Sequence, residues 1–289
     1  MKKILTISFI LVMCLILTTS CDFTESFNDK NIYTTMYPIE YATNKLYSEH
    51  GKIFSVYPNG ADQTYIVTDK KKQKYANSET FIYSGVANEA LLARDLLNLN
   101  NKLNIIDATK GMNTNNKLES MWIDPSNYLM LCSNIKMSLI EYNNNPYIKE
   151  NIEEKYKELN VTISELDVQL YNIGKNGNYD TLLVTNSLFE YLTKYNINVI
   201  SIDPKNETLD KAYATAKKMI KDKKIQYVYY MKGDEFTESQ NKFISENSLV
   251  KIEIPNMFTL TDNDRRENKD YISIMNDIIN EYKKELYKK

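Results

Sequence analysis

The sequence predicts an α/β protein of two lobes, each a mainly parallel sheet flanked by helices, joined by one long rigid spine helix. Two observations carry this. Short β-branched and aromatic runs alternate with helical stretches on both sides of the chain's midpoint, the pattern that builds parallel sheets. Between them, Ile148, Ile152, Tyr156, Leu159, Ile163, Leu166, Leu170 and Ile173 recur every three or four residues. That is one apolar face of a helix roughly 35–40 Å long at about 1.5 Å per residue. Such a helix is either a coiled-coil arm or a spine, and the α/β stretches on both sides favour the spine.

In order, Ile32 to Met36 and Lys52 to Tyr57 read as strands, with a helix from about Ile39 to Tyr47 between them. Thr80 to Tyr83 and Leu103 to Ile106 are further strands, and Leu91, Leu92, Asp95, Leu96 and Leu99 mark the helix that separates them. Pro146 precedes the spine, and Gly174 and Gly177 punctuate its end, as helix boundaries require. Beyond it, strands at Thr181–Val184, Asn198–Ile202, Gln226–Tyr230 and Val250–Ile254 alternate with helices at Leu188–Tyr195, Lys211–Asp222, Glu238–Asn247 and Tyr271–Tyr287. No repeat of 20–50 residues stands out, although the two lobes can share a βα plan. The expected organisation is residues 32–142 for the first lobe, 143–177 for the spine and 178–289 for the second lobe.

Residues 1–20 read as an address. Lys2 and Lys3 precede an apolar run from Ile4 to Leu17, and Thr18, Thr19 and Ser20 lead into Cys21. This is the layout of a secretory signal, too short for the ~20 apolar residues of a spanning helix; the alternative is an uncleaved anchor. The region before Cys21 resembles a bacterial lipobox, with Leu17 four places before the Cys and Thr18 at the usual leucine position. Cys21 is therefore the expected lipidation site, with acyl chains such as palmitate holding the exported protein at the outer face of the cell membrane. Residues 21–31 are its polar tether. Cys14 leaves with the signal and Cys21 is modified, so Cys132 is left with no disulfide partner; among Leu129, Met130 and Leu131 it reads as a small buried apolar residue.

Composition narrows the function. With Lys+Arg 36 and Asp+Glu 38 there is no basic excess for nucleic acid. Neither a P-loop nor a G-x-G-x-x-G fingerprint is present. One His, His50, in 289 residues excludes a multi-His zinc centre. No nucleophile, base and orienter are assembled, so an enzyme is not expected.

Particular residues then resemble a family, the metal-binding (cluster A-I) substrate-binding proteins of zinc and manganese ABC transporters. They are Thr34-Thr35-x-Tyr37-Pro38, Pro58 followed by Tyr65 and Thr68, Phe81-Ile82-Tyr83-x-Gly85, Trp122-Ile123-Asp124-Pro125, Val184-Thr185 with Phe189 and Tyr191, and Asp270-Tyr271-x-x-x-Met275. The resemblance runs from about residue 32 to 287. It implies a clamp that holds zinc or manganese between two lobes and hands it to the permease and ATPase of an importer, with the protein itself a monomer.

The family's ligand positions fall on Gln63, Ser120, Asn186 and Leu260, none a strong ligand for a first-row metal. Asp62 and Asp262 are the nearby acids that could turn in. The expected function is therefore a solute-binding lipoprotein of an ABC importer with a degenerate metal site. The alternatives are import of a metal chelate or small polar ligand, or a surface interaction or adhesion lipoprotein on the same scaffold without transport. Asp124 reads as a helix cap, His50 as a surface residue, and Asp262 to Glu267 as a solvated loop. Asp234, Glu235 and Glu238 read as acids at a helix N-terminus, Lys70, Lys71, Lys72 and Lys74 as a solvated basic face.

Overall fold

The computed structural model describes residues 31–289 except 87 and 114–117; the signal, Cys21 and most of the tether lie outside the described residues. The first sheet holds β1 (Asn31–Thr34), β2 (Lys52–Ser55), β3 (Thr80–Tyr83) and β4 (Asn104–Asp107), in the spatial order β2-β1-β3-β4. The second holds β5 (Thr181–Val184), β6 (Asn198–Ser201), β7 (Tyr227–Met231) and β8 (Val250–Ile254), ordered β6-β5-β7-β8. All pairings are parallel. The lobes are thus two copies of one plan: Thr34 pairs with Ile82 in the first as Val184 pairs with Tyr229 in the second.

In the first lobe the helices are α1 (Tyr37–Tyr47), α2 (Asp69–Ala76), α3 (Glu89–Leu99), the single turn α4 (Ser120–Ile123) and α5 (Pro125–Tyr142). The spine is α6 (Pro146–Asn176). Asn145 caps it by accepting from the Tyr147 N–H at 3.0 Å, and Pro146 occupies its first turn, where a missing N–H costs nothing. Ile148, Ile152, Leu159, Ile163, Leu166, Leu170 and Ile173 are all buried along it, each contributing about 1.5–3 kcal/mol by leaving water. Near its end Gly174 is obligatory, because an added Cβ would lie 1.9 Å from the Tyr195 carbonyl oxygen. The second lobe adds α7 (Leu209–Lys221), α8 (Glu238–Glu246), α9 (Asp262–Arg266) and α10 (Tyr271–Leu286).

Several expectations shift. The first strand ends at Thr34, because Met36 is already the N-cap of α1. Residues 187–195 wind as a 3-10 helix closed by Asn196 in the left-handed region at φ 60°. The expected loop at 262–267 is the short helix α9, nucleated by a capping box between Thr261 and Asp264. His50 is not at the surface: it is 5% exposed and its Nε2 sits 2.8 Å from Asn151 Oδ1 on the spine. Cys132 is fully buried, and burial pushes its thiol far above the ordinary range. Asp124 caps α5 by accepting from the Ser126 N–H at 3.0 Å. Among the described residues no helix is long and apolar enough to cross a membrane.

The chain returns from β8 across the first lobe before forming α10, and this return sews the lobes together. Tyr37 N–H donates to the Phe258 carbonyl at 3.0 Å, Gly60 N–H to that of Leu260 at 2.9 Å, and the Trp122 indole to that of Asn256 at 2.9 Å. Arg265 closes the strap with a bidentate pair on Glu40 at 2.7 and 2.8 Å. The main core is continuous through both lobes and the spine.

Candidate functional site

In an open parallel sheet, ligands gather at the carboxyl ends of the strands where the chain reverses its order of addition. Here that point lies between β1 and β3 in the first lobe and between β5 and β7 in the second. Each crevice holds one carboxylate on equivalent donors. Glu89 accepts from the Thr35 hydroxyl at 2.7 Å and the Ser84 N–H at 2.9 Å. Asp234 accepts from the Thr185 hydroxyl at 3.4 Å and the Met231 N–H at 3.2 Å. Thr35 and Thr185 match in register, since their N–H groups donate to Ile82 and Tyr229 respectively.

The third donors differ. The Tyr57 hydroxyl reaches Glu89 at 2.9 Å, and the Tyr57 ring is stacked 4.9 Å from Phe258 of the return segment. Glu89 is consequently sealed at 3% exposure, and desolvation raises its carboxyl to about 7 against the favourable pull of its three donors. In the second lobe the third donor is the Asn186 amide, and Asp234 stays half-buried beside a cavity of about 150 Å³ shared with Asp203, Lys205 and Gln240.

Asp234 also lines a cleft of about 450 Å³ between the lobes. From the first lobe come Asp62, Gln63, Thr64 and Glu119, and from the second Lys232 and Asn256. Gln63 donates its amide to Glu119 at 3.3 Å, and Glu119 is 9% exposed. Thr64 hydrogen bonds, side chain before backbone, hold the Asp62 carboxyl below its ordinary range. The cleft is therefore built from two carboxamide–carboxylate pairs, Gln63–Glu119 and Asn186–Asp234, one in each lobe.

Of the positions singled out in the sequence, Gln63 and Asp62 line the cleft, and Asn186 reaches it through Asp234. Ser120 is buried in α4, where its carbonyl accepts from the Asn127 amide at 2.9 Å. Leu260 is 2% exposed and its carbonyl accepts from the Gly60 N–H. Asp262 points away to Asn59, whose amide donates to it at 2.9 Å. Sequence reasoning missed Glu119 and took Asp234 for an acid of a helix N-terminus. Asp234 lies three residues ahead of Thr237, the N-cap of α8, too early to serve that helix terminus; that offset was its available signal.

The donor set does not fit a transition metal. Zinc and manganese sites draw on imidazole, thiolate or converging carboxylates. His50 packs against the spine through Asn151, and among the described residues no group of three His, Cys, Asp or Glu side chains is placed to hold an ion.

A family model described as zinc-uptake complex component A, periplasmic (ZnuA), matches residues 32–285. No match was found among curated protein sequences. Among solved structures, the chain is similar to the Zn(II)-bound ZnuA-like domain of Streptococcus pneumoniae AdcA, at 21% identity and TM-score 0.70, covering 90% of this chain and 100% of that one. The metal-dependent lipoprotein YcdH of Bacillus subtilis aligns at 17% identity and TM-score 0.71, covering 89% and 99%. The laminin-binding protein Lbp of Streptococcus pyogenes aligns at 15% identity and TM-score 0.66, covering 88% and 98%. At these identities the likeness is one of fold.

Proposed function

The chain belongs to the family of periplasmic zinc-uptake components, and from that premise we propose that it is the extracytoplasmic solute-binding lipoprotein of an ABC importer whose metal cleft has been rebuilt for another solute. The observation that supports this is that Gln63 and Asn186, two of the positions the family resemblance gives to metal ligands, donate their amides to Glu119 and Asp234. A carboxamide that donates to a neighbouring carboxylate occupies an oxygen that would otherwise meet the ion, and its own carbonyl is a weak, neutral ligand. The scaffold around those pairs retains the inter-lobe strap and the spine, so the cleft can still present a solute to a permease and ATPase. A lipid on Cys21 would keep the protein at the outer face of the membrane, within reach of that permease.

A second reading, a surface interaction lipoprotein on this scaffold, draws support from the fold likeness to a protein titled laminin-binding. Thermal unfolding of the chain from residue 22 onward, after chelator treatment, separates the inherited role from both. An ion at 100 times its dissociation constant stabilises a one-site protein by about 2.7 kcal/mol. No rise in melting temperature with Zn²⁺ or Mn²⁺ is expected, and a saturable rise with either would return the cleft to metal transport. Permease and ATPase genes beside this one would favour import over the interaction role.

A further inference from the structure

We infer that the lysines at the end of α7, Lys217, Lys218, Lys221, Lys223 and Lys224, form a second membrane contact, a face that rests on anionic phospholipid headgroups. The inference rests on the membrane-anchored reading above for the surface it names. Its test uses the chain without Cys21, so a failed contact leaves the anchor and the importer reading standing.

Charge is the first argument. The whole chain has a formal charge of −2, yet the eight residues from Lys217 to Lys224 hold five lysines and one acid, Asp222. All five lysines are exposed, and among the described residues none of their ammonium groups has an ion pair, hydrogen bond or aromatic partner. The lysine run of α2 is different. There Lys72 pairs with Asp95 at 2.8 Å, Lys71 donates to the Tyr65 hydroxyl, and Lys74 lies over the Tyr33 ring. That face is largely met from within the fold, and the end of α7 is not.

Local structure does not call for this much charge. α7 buries Ala216 and packs Met219 and Ile220 on the second-lobe core, which turns the lysines outward. Asp222 ends the helix with its N–H on the Lys218 carbonyl at 3.0 Å, Lys223 follows in the left-handed region at φ 57°, and Ile225 is buried again. The helix dipole favours cations in the last turn. Lys217 with Lys221 and Lys218 with Lys221, however, are like charges at i, i+4 and i, i+3, which destabilise a helix, and Lys223 stands where glycine fits most readily. A negative surface outside the protein relieves that repulsion. The position of the anchor selects a membrane as that surface. The tether joins the first lobe at Asn31, the start of β1, whereas these lysines stand in the second. A lipid together with a polybasic patch makes a two-signal anchor, and lysine clusters on amphipathic helices adsorb to anionic leaflets. With both contacts made, the molecule lies along the bilayer and each lobe is held at the membrane.

The test is sedimentation of the unlipidated chain from residue 22 onward, which contains every described element, with lipid vesicles. Equimolar phosphatidylglycerol and phosphatidylcholine is the probe, and phosphatidylcholine alone is the control. The chain is expected to sediment with the anionic vesicles at low salt, to be released as salt rises, and to ignore the neutral vesicles. Lys221→Glu with Lys224→Glu should weaken that binding about tenfold or more. Lys70→Glu with Lys74→Glu changes the net charge by the same amount in the other lobe and should leave binding within about twofold, because salt screens charges that far from the contact. Melting temperatures identify a variant that fails to fold, and Lys217→Gln with Lys223→Gln then decides in its place. No association with the anionic vesicles would overturn the inference, as would equal losses from the two pairs of substitutions. Equal association with neutral vesicles would overturn it too, because the contact would not be electrostatic. Binding of heparin without binding of vesicles would assign the lysines to a soluble polyanion and overturn the membrane contact.

Discussion

Glu89 and Asp234 stand at the same point of two lobes built to one plan, on matching threonine hydroxyls and matching strand-end N–H groups, yet their surroundings differ. Tyr57 and the stacked Phe258 close the first crevice, so Glu89 serves the fold by satisfying three donors in a dry interior. In the second lobe Asn186 takes the place of Tyr57, and Asp234 is half-buried and lines the cleft. A switch-point crevice is therefore a structural joint when sealed and, on the function proposed above, a solute-facing surface when open. The return segment from the second lobe supplies Phe258, so docking of the lobes decides which crevice is which.

That contrast can be broken by removing each carboxylate in turn. Glu89→Ala strands the Thr35, Tyr57 and Ser84 donors in the interior, and a loss of about 3–5 kcal/mol is expected in urea unfolding. A loss below that of Asp234→Ala would undo the distinction. The pH dependence comes next. The Glu89 carboxyl is raised from 4.5 to about 7 in the folded state, so the folded protein holds that proton more tightly than the unfolded chain. Its stabilising contribution is then complete below about pH 4.5 and is lost as pH rises through about 7, an effect on the order of 3 kcal/mol. Glu89→Gln should flatten that part of the stability profile; an unchanged slope would mean the site is wet.

Smaller effects sharpen the same comparison. Gly85 follows Ser84 in the sealed crevice, and a Cβ there would lie 2.2 Å from the Asp107 carboxylate, while the equivalent position in the second lobe carries Lys232. Gly85→Ala should cost about 2 kcal/mol through that overlap, measured as a shift of the urea midpoint. Asp234→Ala, at a half-exposed site where water can replace the lost bonds, should cost about 1 kcal/mol or less.

The strands and the spine were legible because their signals are local. Thr181 to Val184 is a bare apolar run, and Ile148 to Ile173 keeps a helical spacing whatever packs against it. Helix α9 was legible too, from Thr261 followed three residues later by Asp264, but its charges read more loudly as a loop. His50 was not legible: its burial depends on Asn151, which the spine brings up from 101 residues away. The cleft was half legible. Gln63 and Asn186 followed from the family resemblance, carried over position by position, whereas Glu119 and Asp234 become site residues because the two lobes face each other across the cleft. The offset of Asp234 from the Thr237 N-cap is the one local mark of that meeting.

The function proposed above keeps the zinc-uptake scaffold and puts carboxamide–carboxylate pairs where metal ligands would stand. Equilibrium titration of the chelator-treated chain with Zn²⁺ against a competing chromogenic chelator tests it most directly. The chelator is expected to keep the metal at every protein concentration. Stoichiometric one-to-one transfer of Zn²⁺ to the protein, abolished by Asp234→Asn or Glu119→Gln, would contradict it.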